Sequence, residues 1–312
     1  MLLKAEDGGK LWLRYKTVEV SETPHFSGLN GDMSNIALKE FKEAWKEMTG
    51  NYIPTQTRLE NNSLLIGTLK NAEVRRLKLN KELKELGPEG YILRTVQRGN
   101  NSITVVASEG EQGLLYGTFH LLRLIQTGQS LAQLEISEKP LYDVRILNHW
   151  DNINGTIERG YAGYSIWKWD ELPSKVSHRY EDYARANASI GINGTVLNNV
   201  NASPDILTPE YLQKVKIIAN VLRPYGIKVY LSVNFSSPHI LGGLDNSDPK
   251  DPDVQKWWKN KVKEVYQLIP DFGGFLVKAN SEGQPGPHDY GRTHADGANM
   301  LADALSPYKG IV

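Results

Sequence analysis

Gly273-Gly274-Phe275-Leu276-Val277-Lys278-Ala279-Asn280-Ser281-Glu282-Gly283-Gln284-Pro285-Gly286-Pro287 changes character halfway along. Its apolar half, Phe275 to Val277, is short, partly β-branched and preceded by a Gly pair, which predicts a buried strand rather than a helical turn. The second half is a Gly/Pro loop. Lys278, Asn280 and Glu282 therefore stand where a strand empties onto the face of its sheet, the usual position for chemistry in α/β folds. Glu282 is the candidate catalytic residue. Lys278, four residues upstream, suits either an anionic group on a substrate or an ion pair.

The same grammar recurs elsewhere. Apolar runs at residues 144–147, 195–197 and 228–233 are each followed by polar residues, a loop and a helix-like segment, and a fifth run opens at Gly310-Ile311-Val312. Strand, loop, helix, strand is a βαβ series and implies a parallel sheet. In one unit Thr208 caps a helix and Pro209 suits its first position. Tyr211, Val215, Ile218, Leu222 and Tyr225 then recur at 4-3-4-3 spacing, Gly226 stops the helix and Ile227 starts a strand. The next unit repeats this with Asp251, Pro252, Val254, Trp258, Val262, Val265 and Ile269. The residues after the strands form a set: Asn148-His149-Trp150-Asp151, Asn198-Asn199-Val200-Asn201, Asn234, and Lys278 with Asn280 and Glu282. In an open sheet or a (β/α)₈ barrel all four groups fall on one rim.

Residues 1–140 predict a small α+β domain without a catalytic constellation. The pattern gives strands near 11–20, 64–66, 90–97 and 102–107, and helices over 37–48, 72–86 and 111–126, with Gly99-Asn100-Asn101 as a turn. Residues 141–312 are expected to hold the first half of a (β/α)₈ TIM barrel. A minimal barrel needs about 250 residues, and only 169 remain, counting 144 to 312. The expectation is therefore a chain that ends inside its fifth strand, with an open five-stranded sheet as the alternative.

With 36 acidic and 36 basic side chains, no long-range field favours nucleic acid or an anionic membrane. No run approaches the roughly 18 apolar residues of a membrane span, and the first residues lack the apolar core of a secretory signal; a cytoplasmic location is expected. The absence of Cys excludes a disulfide framework and a thiolate nucleophile. His149, His178, His239, His288 and His294 lack tight ligand spacing, so neither a metal nor a cofactor is expected. No G-x-S-x-G elbow, P-loop or G-x-G-x-x-G occurs. His149-Trp150-Asp151 combines stacking with hydrogen bonding, which suits sugar rings, although a Trp just after a strand is commonly core. Asn198, Asn199 and Asn201 fit loop turns equally well.

The run Val277-Lys278-Ala279-Asn280-Ser281-Glu282-Gly283-Gln284-Pro285-Gly286-Pro287, with Asn148-His149-Trp150-Asp151-Asn152 and Leu197-Asn198-Asn199-Val200-Asn201, closely resembles the α-glucuronidases of glycoside hydrolase family 67. Gly113-Leu114-Leu115-Tyr116-Gly117, with Leu121 and Leu122, is similar to that family's first domain, a non-catalytic unit shared with β-hexosaminidases. The resemblance implies removal of (4-O-methyl-)glucuronic acid from the terminal xylose of xylan-derived oligosaccharides, the aldouronic acids, with inversion. It also implies that Glu282 is the general acid, its pKa raised in the closed site; that Lys278 contacts substrate; and that Trp150 and Val200 form an apolar surface near the uronic acid, with Asn199 beside them. Inversion needs a second carboxylate about 6.5–9.5 Å away; the family draws it from later strands, and its homodimer contact from a C-terminal domain. Besides Glu282 only Asp151 is placed on the rim among the carboxylates here, and it is not assigned as the base. The 312 residues by themselves are thus expected to be inactive. A non-catalytic sugar-binding or interaction module is the alternative. A flavodoxin-like sheet binding a phosphorylated ligand fits poorly, since no Gly-rich loop leads into a helix in phosphate-cradling form.

Overall fold

The computed structural model describes residues 8–19, 25–27, 32–56 and 58–312. They form two compact units, one of Met1–Asp143 with Arg185–Gly191 and Pro224–Gly226, the other of Val144–Ala184, Ile192–Arg223 and Ile227–Val312.

The first unit holds a mixed sheet of β1 (His25–Ser27), β2 (Thr55–Gln56), β3 (Ser63–Thr68), β4 (Tyr91–Arg98), β5 (Asn101–Ser108) and β6 (Glu135–Glu138), ordered β2-β1-β3-β5-β4-β6. β1, β2, β3 and β5 pair in parallel, whereas β4 pairs antiparallel with β5 and β6. Its helices are α1 (Asp32–Thr49), α2 (Ala72–Arg76), α3 (Asn80–Leu86) and α4 (Glu111–Gln126). Val74 and Leu83, from α2 and α3, cluster with Leu65, Ile92, Ile103, Val105 and Ala107. The alternate residue Val106 faces α4, where a side chain at Gly117 would lie 2.9 Å from it. Both faces of β3 and β5 are therefore covered, which is why β3 is buried along its whole length. In α1, Ala37, Phe41, Trp45 and Met48 are buried at helical spacing.

Two expectations fail in this unit. Residues 11–19 form no strand: they open with a turn at Leu11 in left-handed backbone, and Val18 N–H donates to Met48 O (2.9 Å) without joining a sheet; Val20 lies outside the described residues. The helix expected over 72–86 is two helices, because Lys78 adopts φ +60° and stops the first.

The second unit is a four-stranded parallel sheet of β7 (Ile146–Asn148), β8 (Gly194–Val196), β9 (Lys228–Val233) and β10 (Gly274–Val277), in chain order. Ile311 extends it by a parallel bridge to Gly274. Helices α5 (Arg179–Ser189, of which the residues up to Ala184 belong to this unit), α6 (Pro209–Leu222), α7 (Ser237–Gly242), α8 (Pro252–Leu268) and α9 (His294–Leu305) fill the connections. Thr208 Oγ1 accepts from Tyr211 N–H at the start of α6, and Asp251 does the same for Asp253 N–H at α8, each followed by Pro. Contacts of α6 with α8 and of α8 with α9 set successive helices side by side, as the strands are. Trp258 is fully buried in edge contact with Phe275 of β10, so the Trp257-Trp258 pair serves the core through its second member. The result is a mixed α/β fold with an open parallel sheet. Among the described residues, β7 pairs with β8 alone.

Candidate active site

Parallel strands in chain order carry their C-terminal loops to one edge of the sheet, and the rim residues read from the sequence all lie there. Trp150 follows β7, Asn199 and Val200 follow β8, Asn234 follows β9, and Lys278 and Glu282 follow β10.

The contacts close a ring across three loops. Asn199 Nδ2 donates to Trp150 O (3.3 Å), and Asn201 N–H donates to Asn199 Oδ1 (2.9 Å). Lys278 Nζ donates to Asn201 Oδ1 (3.1 Å) and to Glu282 Oε2. Arg159 Nη2 lies 3.7 Å from that same Glu282 oxygen, while Arg159 Nε lies 3.6 Å from Glu158 Oε1. Glu158 N–H donates back to Trp150 O (2.8 Å). Val200 enters the ring through its two chain neighbours. Asn234 Nδ2 donates to Ala202 O (3.2 Å), tying the end of β9 to the loop after β8.

The loop after β7 is pinned from beneath. Asp151 is buried; it accepts from Ser165 Oγ (2.5 Å) and, since a carboxylate only accepts, from His149 Nδ1–H (3.1 Å). His149 Nε2 meets the Tyr183 hydroxyl at 2.8 Å, which in turn meets Thr195 Oγ1 at 2.9 Å. Burial pushes the Tyr183 hydroxyl pKa well up, so it stays a neutral partner. Asn199 N–H donates to Asp151 O (2.7 Å) and its Nδ2 to Asn152 Oδ1 (3.1 Å), joining this loop to the one after β8. The Asn residues thus hold the loops, while Trp150 keeps 48 % of its surface exposed above them. His149, by contrast, is packed against Trp167 and Tyr183.

Glu282 is held in an ion pair. Its side chain is 56 % exposed, and the Lys278 ammonium, hydrogen-bonded to it, holds its carboxyl below the usual carboxylate range, with Arg159 adding to the effect. The raised value expected of Glu282 belongs to the closed site of the complete enzyme; in the free protein the shift is downward, because the two cations outweigh desolvation. Glu282 and Asn280 both sit in left-handed backbone, at φ +50° and +51°, as does Glu158 at φ +54°. The sequence reading missed Glu158 and Arg159, so Asp151 is not alone in sharing the rim with Glu282. The Glu158-Arg159 pair lies in a polar loop with no periodicity, and the bonds that fold it come from Trp150 and Asn152. Among the described residues, no group of three His, Asp or Glu side chains is disposed to hold a metal, and no helix is long and apolar enough to cross a membrane.

Two carboxylates on either side of Arg159, a second cation and an exposed indole on the rim of a parallel sheet suit an α/β protein that handles sugars. Residues 11–121 match the N-terminus of glycosyl hydrolase family 67 and residues 124–312 match its middle domain; the chain belongs to that family. A protein described as probable alpha-glucuronidase A of Aspergillus terreus is 40 % identical over 324 residues, covering 100 % of this chain and 38 % of the relative. Alpha-glucuronidase A of Emericella nidulans is 39 % identical over 326 residues, with 99 % and 38 % covered. The chain thus spans under two fifths of the length of these relatives. Among solved structures, a family GH138 enzyme targeting pectin rhamnogalacturonan II superposes with a TM-score of 0.56 at 18 % identity, over 93 % of this chain and 37 % of that one. A family GH115 4-O-methyl-alpha-glucuronidase with specificity for decorated arabinogalactans gives a TM-score of 0.56 at 13 % identity, over 94 % and 40 %. At such identities these two speak for the fold alone.

Proposed function

We propose that the protein carrying this chain is an α-glucuronidase acting on aldouronic acids, with Glu282 as general acid, and that β7 to β10 are four successive strands of a (β/α)₈ barrel. The observation that carries the reading is the Lys278-Glu282 pair at the carboxyl end of β10, one contact from Arg159. A uronic acid brings its own carboxylate. Bound at the rim, it competes with Glu282 for Lys278 and Arg159, and a Glu282 stripped of both cations and covered by sugar regains the proton that acid catalysis needs. Substrate charge in this way sets the protonation of the catalyst. Trp150 offers an apolar face to the sugar and its methyl ether, with Val200, Asn199 and Lys278 completing the contact. Asp151 is spent on Ser165 and His149, so it does not act as the base.

The test is Glu282→Gln assayed on aldouronic acids. Turnover is expected to fall by about 10²–10⁴-fold, while an aryl glucuronide whose leaving group needs no proton loses far less. Near-normal release of glucuronic acid from the oligosaccharide would overturn the assignment. Aldouronic acid that binds in calorimetry and is never hydrolysed would favour a sugar-binding module instead.

A further inference from the structure

Glu158 is a carboxylate whose placement the ion pairs do not explain. Its side chain is 11 % exposed, yet among the described residues no donor reaches Oε2. Its other oxygen faces Arg159 at 3.6 Å, too far for a hydrogen bond. A carboxylate taken out of water without donors is costly, and such a group calls for a partner: a ligand, an ion or a water. The backbone points the same way. Glu158 holds φ +54°, a conformation that residues with a Cβ avoid, and is fixed there from both sides: its N–H donates to Trp150 O (2.8 Å) and its carbonyl accepts from Asn152 Nδ2 (2.7 Å). It is anchored to the main chain of Trp150, the residue that carries the exposed indole, and stands one residue from Arg159, the cation that faces Glu282.

We propose that Glu158 reads the ring hydroxyls of the uronosyl group and is a specificity-determining residue of this site. The proposal rests on the α-glucuronidase reading and adds a division of labour to it. A carboxylate only accepts, so it has nothing to offer the carboxylate of a uronic acid, which also only accepts. Lys278 and Arg159 suit that charged end. The sugar's hydroxyls are donors, and the Glu158 carboxylate beside Arg159 is an acceptor short of them. A site that hydrogen-bonds a hydroxyl rejects the analogue lacking it far more strongly than an apolar pocket rejects a missing methylene, because the buried acceptor is left unpaired. Glu158 therefore selects the hydroxyl pattern and the cations select the charge.

The experiment measures dissociation constants of glucuronic acid and of its 2-deoxy and 3-deoxy analogues, by calorimetry or ligand NMR, for the wild-type protein, Glu158→Gln and Glu158→Ala. Wild type is expected to bind at least one deoxy analogue roughly 10- to 100-fold more weakly than the parent sugar. The Ala variant should bind the parent about as weakly as wild type binds that analogue, with no further loss on removing the hydroxyl. Gln, which keeps one acceptor oxygen, should fall between. Because the loop is anchored through backbone atoms of Glu158, both variants keep it, and unchanged circular dichroism and melting temperature check this. If wild type does not bind glucuronic acid at all, the α-glucuronidase reading falls, and this inference with it. If wild type binds and both variants bind equally well, or still discriminate against the deoxy sugars, this inference alone is overturned. Unaltered affinity with lost turnover that azide restores would make Glu158 a base and would equally overturn it.

Discussion

The acid role proposed for Glu282 calls for a carboxyl that holds its proton near working pH, whereas a hydrogen-bonded ammonium strips that proton away. Lys278 donates to both Asn201 and Glu282, and only Glu282 returns a charge, so this pair dominates the carboxyl's titration. The sign follows from linkage. A folded-state value below the unfolded one makes a contribution that is present above the ordinary carboxyl pKa and is lost as pH falls through the lowered folded value. In the free protein the side-chain carboxyl of Glu282, followed by NMR, should therefore titrate below an ordinary glutamate, and Lys278→Met should move it up towards the ordinary range. Saturation with glucuronate should move it up in the wild type as well. A titration that ignores both the substitution and the ligand would show that the ion pair does not govern the acid.

Among the elements, α2 and α3 show how one backbone angle divides what a periodic pattern would join. Lys78 sits in left-handed backbone just past the end of α2, the position where glycine normally closes a helix. Lys78→Gly removes the Cβ penalty there and is expected to raise stability by about 0.5–1 kcal/mol, read as a higher urea midpoint at unchanged slope. A loss of stability would mean that the Lys78 side chain contributes more than its backbone costs. The same position explains why the split was not legible: nothing in the lysine announces a stop. Where a stop or start has a chemical signature, as at Thr208-Pro209, Asp251-Pro252 and Gly226, the helices were read correctly from the sequence. β6 escaped because three of its four residues, Glu135, Ser137 and Glu138, are polar and exposed, and Ile136 by itself makes no alternation to detect. In the candidate site, Lys278 and Glu282 were legible because they follow directly from a strand. Glu158 was not, since its position depends on bonds to Trp150 and Asn152 that are created only by folding.

Across the whole molecule 36 positive and 36 negative charges cancel, so a charged sugar is not drawn in by a general field. On the proposed reading, recognition of the uronate rests on two cations of different exposure, Lys278 at 17 % and Arg159 at 67 %. Salt discriminates between them. Exposed charges are largely screened from one another beyond about 8 Å at physiological ionic strength and beyond about 3 Å at 1 M, and covered charges are screened far less. Raising salt from about 0.05 to 0.5 M should therefore weaken glucuronate binding by only a few fold, mostly at the expense of Arg159, while a neutral methyl ester of the same sugar binds with no salt dependence. Arg159→Gln should lower affinity at low salt and flatten the remaining salt dependence; Lys278→Met should lower affinity at every salt concentration. A steep loss for the ester as well would mean that the site draws on charges well beyond these two, and the picture of a locally built, charge-reading rim would fail.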